Sequence, residues 1–144
     1  MSIKSILLVE DNPDDRELMK LAFSQGQIPH HLITAPDGIE ALNYLRGEDK
    51  FSDRDLTSMP ALIMLDLNLP KINGVEVLRR IRADPRTRLL PVVIISSSNE
   101  PQDLIDSYIR KPIHFTQLQS FVKEISTYWL TVNQLPPVFG VLNE

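Results

Sequence analysis

Four continuous apolar runs constrain this chain more than any other feature: SILLV (5–9), HLITA (31–35), ALIML (61–65) and VVIIS (92–96). Apolar residues do not alternate with polar ones here, and Val and Ile are frequent, as expected of strands covered on both faces. Between the runs the spacing turns helical. Residues 14–25, behind Asn12-Pro13 and with acids at 14 and 15, set Leu18, Leu21 and Ala22 on one face. Residues 38–46 follow an Asp37-Gly38 turn, and 74–83 group Val77, Leu78 and Ile81 behind Gly74. Phe115 to Leu130 carries Leu118, Phe121, Val122, Ile125 and Trp129 at steps of three and four. Strand alternating with helix predicts an α/β fold with a doubly wound parallel sheet.

With 144 residues, 42% of them hydrophobic, the chain suits one domain with a core of its own and leaves no room for a second catalytic or DNA-binding domain. A formal charge of −4, with no outstanding block of Lys or Arg, gives no electrostatic reason to approach nucleic acid. Cysteine is absent, which excludes disulfides and thiolate metal sites and suits a reducing cytosol. The N-terminal apolar run is too short for a signal peptide, and no stretch reaches membrane-spanning length. The expectation is a soluble cytoplasmic domain with no membrane and no nucleic-acid partner. The polar segment 47–60 reads as an exposed, mobile loop.

The chemistry concentrates at the strand exits. In an open parallel sheet, ligands bind beyond the carboxyl ends of the strands, where the strand order reverses. Glu10 and Asp11 leave the first strand there, and Asp66 leaves the third. If those strands are neighbours, three carboxylates crowd one small volume, and protons or a cation must relieve their repulsion. Mg²⁺, a hard ion that keeps waters and accepts phosphate, answers the charge. Ser96 and Lys111 end the fourth and fifth strands, and a hydroxyl and an ammonium converging on a carboxylate and a metal suit a phosphoryl group. A capping role is the alternative for Asp11 alone. His30, His31 and His114 show no metal-ligand spacing.

LLVEDN, MLDLNLPKINGVEVL, PVVIISSS and YIRKP, in that order, resemble the receiver domain of two-component response regulators from residue 4 to about 130. The resemblance implies a flavodoxin-like five-stranded parallel sheet of order 2-1-3-4-5. It implies that Asp66 takes a phosphoryl group from a sensor histidine kinase. Asp11, Asp66 and the Asn68 carbonyl would ligate Mg²⁺, with Glu10 acting through a water. Lys111 would pair with the phosphoryl oxygens, Ser96 would swing in to hydrogen-bond the phosphate, and Tyr108 would change exposure with it. Asn68 and Ser98, two places beyond Asp66 and Ser96, would tune hydrolysis, so the chain is read as a signalling switch rather than a turnover enzyme. The long loop before the third strand and YWLTVNQLPP resemble single-domain response regulators that partner cyanobacterial phytochromes. In that group the last helix and tail form a homodimer, an interface expected here to include Tyr128, Trp129 and Phe139.

The expected division is a receiver domain, 1–131, and a tail, 132–144, too apolar for a solvated end and packed on the domain or on a partner. One departure from the family stands out. Between Ser97 and Tyr108 the chain is short by roughly seven or eight residues of the family's fourth helix and fifth strand, close to the minimum for a parallel crossover. A natural deletion, an engineered one and a sequence that omits a mobile segment all account for it, the last being favoured. Two other functions compete with the switch: a Mg²⁺-dependent phosphohydrolase working through an aspartyl-phosphate, and a receiver-like binding module that is never phosphorylated. The first typically needs an acid two residues after the nucleophile, where this chain has Asn68.

Overall fold

The computed structural model describes residues 4–26, 30–96, 108–110 and 114–131. Strands β1 (Lys4–Val9), β2 (His30–Ala35), β3 (Leu62–Asp66), β4 (Val92–Ser96) and β5 (Tyr108–Arg110) alternate with helices α1 (Pro13–Gln25), α2 (Gly38–Arg46), α3 (Gly74–Ala83) and, last, α4 (Phe115–Thr131). Every neighbouring pair runs parallel, in the order β2-β1-β3-β4-β5, as expected. Residues 97–107, the short connection between β4 and β5 for which a deletion and an omitted segment both stand as explanations, lie outside the described residues, as does the tail 132–144.

The continuous apolar runs are explained by two cores. Ile6, Leu8, Leu62, Met64, Val93 and Ile95 pack with Met19, Phe23, Leu118 and Phe121 from α1 and α4. Leu7, Val9, Ile63, Leu65, Val92 and Ile94 pack with Leu42, Leu45, Val77 and Ile81 from α2 and α3. Successive strand residues serve opposite faces, so a strand with both faces covered must be apolar throughout. In α1 the buried stripe is Met19, Ala22 and Phe23, whereas Leu21, assigned from the sequence to the inner face, is 48% exposed. At 100° per residue Leu21 lies well round from the centre of that stripe, and Leu18 sits at its border, partly buried.

The loop expected to be exposed and mobile is exposed, but it is built. It opens with a 3₁₀ turn at Asp49–Phe51, and Phe51 meets Tyr44 edge to face with centroids 5.2 Å apart. Arg54 stacks its guanidinium 4.1 Å from the Tyr44 ring and donates to the carbonyls of Tyr44 and Ser58 at 2.7 and 2.8 Å. One planar, five-donor side chain thereby ties the last turn of α2 to the loop, sharing the Tyr44 carbonyl with the Gly47 N–H.

Four of the arginines between 79 and 88 are engaged nearby. Arg79 and Arg80 bond Glu76, Arg82 donates to the carbonyls of Arg88 and Leu90, and Arg86 bonds Asp84. Hydrogen bonds from Arg80 and Arg79 hold the Glu76 carboxyl below the usual range, and those from the Arg86 side chain and N–H do the same for Asp84. Asp55 is held down by the Thr57 hydroxyl and N–H. Carboxyls depressed on folding stabilise the protein above their unfolded values, near 4, and that contribution is lost as pH falls through the lower folded values. The melting temperature should therefore stay level between about pH 5 and 7 and fall below about pH 4. A melting temperature unchanged down to pH 3, by scanning fluorimetry, would contradict these assignments.

Candidate functional site

The register of the sheet assembles the site. Val9 pairs with Leu65, so the next residues, Glu10 and Asp66, stand level at the carboxyl edge of two adjacent strands. Glu10 is fully buried and anchored on three sides. Its N–H donates to the Ala35 carbonyl at 3.0 Å, its carbonyl accepts from Arg16 Nη1 at 2.7 Å, and its Oε2 accepts from the Asn12 N–H at 3.1 Å. Asp66, the last residue of β3, is 1% exposed, and its Oδ1 accepts from the Asn68 N–H at 2.9 Å, which fixes the direction of the carboxylate. Asp11 is exposed and completes the group. One carboxylate oxygen from each of Glu10, Asp11 and Asp66 lies within 4.8 Å of the others.

Asp11 is not the helix cap. Asn12 caps α1, its Oδ1 accepting from the N–H groups of Asp14 and Asp15 at 2.8 and 3.1 Å. Asp37 and Asn73 likewise cap α2 and α3. Three capped N-termini thus surround the strand exits, each relieving its own orphan donors with an Asx side chain. Asp11 is left to face its two acidic neighbours.

Three converging carboxylates, two of them buried, form an all-oxygen donor set that repels itself. A hard divalent cation with open positions for water and substrate fits such a set. Backbone N–H groups orient two of the three carboxylates, that of Asn12 on Glu10 and that of Asn68 on Asp66, and of these two Asp66 closes β3 itself.

The glycine after Asn73 sets the depth of this corner. A Cβ on Gly74 would strike the Asp66 carbonyl oxygen and stand 2.5 Å from the Leu67 Cα, while the Gly74 N–H donates to the Leu67 carbonyl at 2.9 Å. The start of α3 is therefore pressed directly on the backbone that carries Asp66.

Of the other expected site residues, Asn68 is described, with an exposed side chain beside the acids. Ser96 and Tyr108 occupy the end of β4 and the start of β5, described in backbone only. Lys111, Ser98 and Phe139 lie outside the described residues, as do the side chains of Tyr128 and Trp129 on α4. Sequence reasoning missed the ion pair between Lys71, in the loop after β3, and Asp37 at 3.3 Å, and the close contact at Gly74. The signal for the last was present, a glycine at a helix start shortly after the aspartate.

A parallel sheet of order 2-1-3-4-5 with three acids gathered at the β1 and β3 exits is the architecture of an α/β receiver-type signalling domain, and the chain belongs to the response regulator receiver domain family, whose model matches residues 6–123. Such domains are switches of two-component signalling. Among individual relatives, the crystal structure of the phosphorylated cyanobacterial phytochrome response regulator RcpA is similar at 42% identity and a TM-score of 0.78, covering 94% of this chain and 99% of that one. Response regulator Rcp1 of Synechocystis sp. is 35% identical over 140 residues, 92% of this chain and 93% of Rcp1. Its Mn²⁺-bound structure superposes with a TM-score of 0.76 at 34% identity, covering 92% of this chain and 99% of that one. The probable methanogenesis regulatory protein FilR2 of Methanothrix harundinacea is 38% identical over 138 residues, 91% of this chain and 86% of FilR2. Among the described residues, no helix is long and apolar enough to cross a membrane.

Proposed function

We propose that Asp66 is the phosphoacceptor of a Mg²⁺-dependent switch driven by a histidine kinase. The observation that carries this reading is the meeting of Glu10, Asp11 and Asp66 within 4.8 Å at one edge of the sheet, with Asp66 oriented by the Asn68 N–H. An Asp66 oxygen attacks the phosphorus of a phosphohistidine. The P–O bond forms as the P–N bond breaks, and the electron pair returns to the imidazole nitrogen, which takes up a proton. Asp11, Asp66 and the Asn68 carbonyl would hold Mg²⁺, with Glu10 acting through water. The ion would neutralise charge on the transferring phosphoryl oxygens.

Lys111 and Ser96 then bind the phosphoryl oxygens, with Tyr108 following Ser96, and contacts made in only one state shift a two-state equilibrium. Asn68 and Ser98 govern the approach of hydrolytic water. The receiver domain extends over 1–131, and the tail 132–144 with Tyr128, Trp129 and Phe139 forms a homodimer contact. The similarity to RcpA and Rcp1 supports a phytochrome as the kinase, in a cytoplasmic pathway.

Incubation with Mg²⁺ and a small phosphodonor tests this. One acid-stable, base-labile label per chain is expected. Many turnovers per chain would favour a phosphohydrolase, and no label at all a binding module.

A further inference from the structure

The loop from Leu67 to Asn73 follows the proposed nucleophile and carries Asn68. Lys71 within it has φ of 71°, a left-handed backbone that a residue with a Cβ adopts at a cost. Glycine or asparagine would sit there more easily, so an observed lysine calls for a compensating contact.

That contact is with Asp37. Lys71 Nζ lies 3.3 Å from Asp37 Oδ2, and the carboxylate side chain is 11% exposed. Its other oxygen, Oδ1, caps α2 by accepting from the Glu40 N–H at 2.8 Å. One carboxylate therefore joins the start of α2 to the loop after β3. Burial opposes ionisation of Asp37, but the Glu40 N–H and the Lys71 ammonium outweigh it and hold the carboxyl below its usual range. A second observation ties the same two segments. A Cβ on Gly38 would stand 2.7 Å from Ile72 Cγ1 and 3.1 Å from the Ile72 carbonyl oxygen, so residues 37–38 and 71–72 are in close contact side by side.

We propose that the Asp37–Lys71 pair is a strap across this loop, and that both are positioning residues holding the Asn68 backbone where the cation and phosphoryl group need it. The strap acts midway along a loop already pinned at its ends by the Asn68 N–H on Asp66 and the Gly74 N–H on Leu67. The inference rests on the phosphoacceptor reading above.

Its test turns on a sign. If Lys71 contributed only charge, removing an ammonium near a cation site would tighten Mg²⁺ binding; if it positions the loop, removal weakens binding. Lys71→Asn tolerates the left-handed backbone, and Asp37→Asn keeps a good helix cap. By isothermal titration of the full chain with Mg²⁺, each single variant should bind roughly threefold more weakly, the scale of a half-exposed ion pair. The double variant should be no weaker than either single, and Lys71→Arg should bind like the parent. In the metal-free protein, amide exchange at Asn68 should speed up by a similar factor in Lys71→Asn. Equal or tighter Mg²⁺ binding by Lys71→Asn, or additive losses in the double variant, overturns the strap while leaving the phosphoacceptor reading intact. If the parent binds no Mg²⁺, that reading fails first, and unchanged Asn68 exchange in Lys71→Asn then overturns the strap independently.

Discussion

Asp66→Asn should abolish the phosphoryl label completely and, in the absence of divalent cations, make the protein more stable. Both results have one source. An oxygen of Asp66 lies within 4.8 Å of an oxygen of each of its two acidic neighbours, and like charges at about that range repel by roughly 3 kcal/mol at an effective dielectric of 20. The amide keeps the shape and still accepts the Asn68 N–H, while the charge and the nucleophilic oxygen are gone. Part of the repulsion is already relieved by solvent at exposed Asp11, so a net gain of about 1–3 kcal/mol is expected, or several degrees in melting temperature for a domain of this size. Millimolar Mg²⁺ should raise the parent's melting temperature and leave the variant's almost unmoved, because stabilisation by a ligand follows its affinity for the folded state. A label that persisted in Asp66→Asn would move the acceptor elsewhere and end the present account.

Gly74→Ala should be the most damaging small substitution in the described part of the chain. The added methyl meets backbone, the Asp66 carbonyl and the Leu67 Cα, neither of which can rotate away as a side chain tip would. Relief requires the end of β3 and the start of α3 to separate, breaking the Gly74 N–H to Leu67 bond. Overpacking of this kind costs about 2–4 kcal/mol, with a lost buried hydrogen bond included. Because the atom struck belongs to Asp66 itself, Mg²⁺ binding should weaken along with stability. Chemical denaturation together with Mg²⁺ titration checks both, and a variant as stable as the parent would show that the corner is looser than its geometry implies.

The sequence was most informative where one physical rule governed. Strands covered on both faces must be apolar throughout, so β1, β3 and β4 could be read from composition alone, and parallel pairing then sends their carboxyl ends to one edge. Periodicity located the helices but misjudged α1. The apolar residues of that helix spread over a wide arc, and only the position of the sheet decides that Met19 and Phe23 go inward while Leu21 stays in water. Segment 47–60 read as a mobile loop because what orders it, chiefly Arg54 on the Tyr44 and Ser58 carbonyls and Phe51 on the Tyr44 ring, follows no periodic pattern in the sequence.

For the site the same division holds. The acidic residues, their place at the strand ends and the family were legible in the sequence, because four short motifs recur in one order even though a single strand-end carboxylate could equally have been a helix cap. That Glu10 is level with Asp66, that Asn12 rather than Asp11 caps α1, and that Lys71 reaches Asp37 were decided only by the register of β1 on β3 and the packing of α2 beside α3. Residue type and local spacing determine which chemistry a chain can offer, because they act within a few residues. Distances between segments far apart in sequence depend on how every element packs at once, and only the folded sheet sets them.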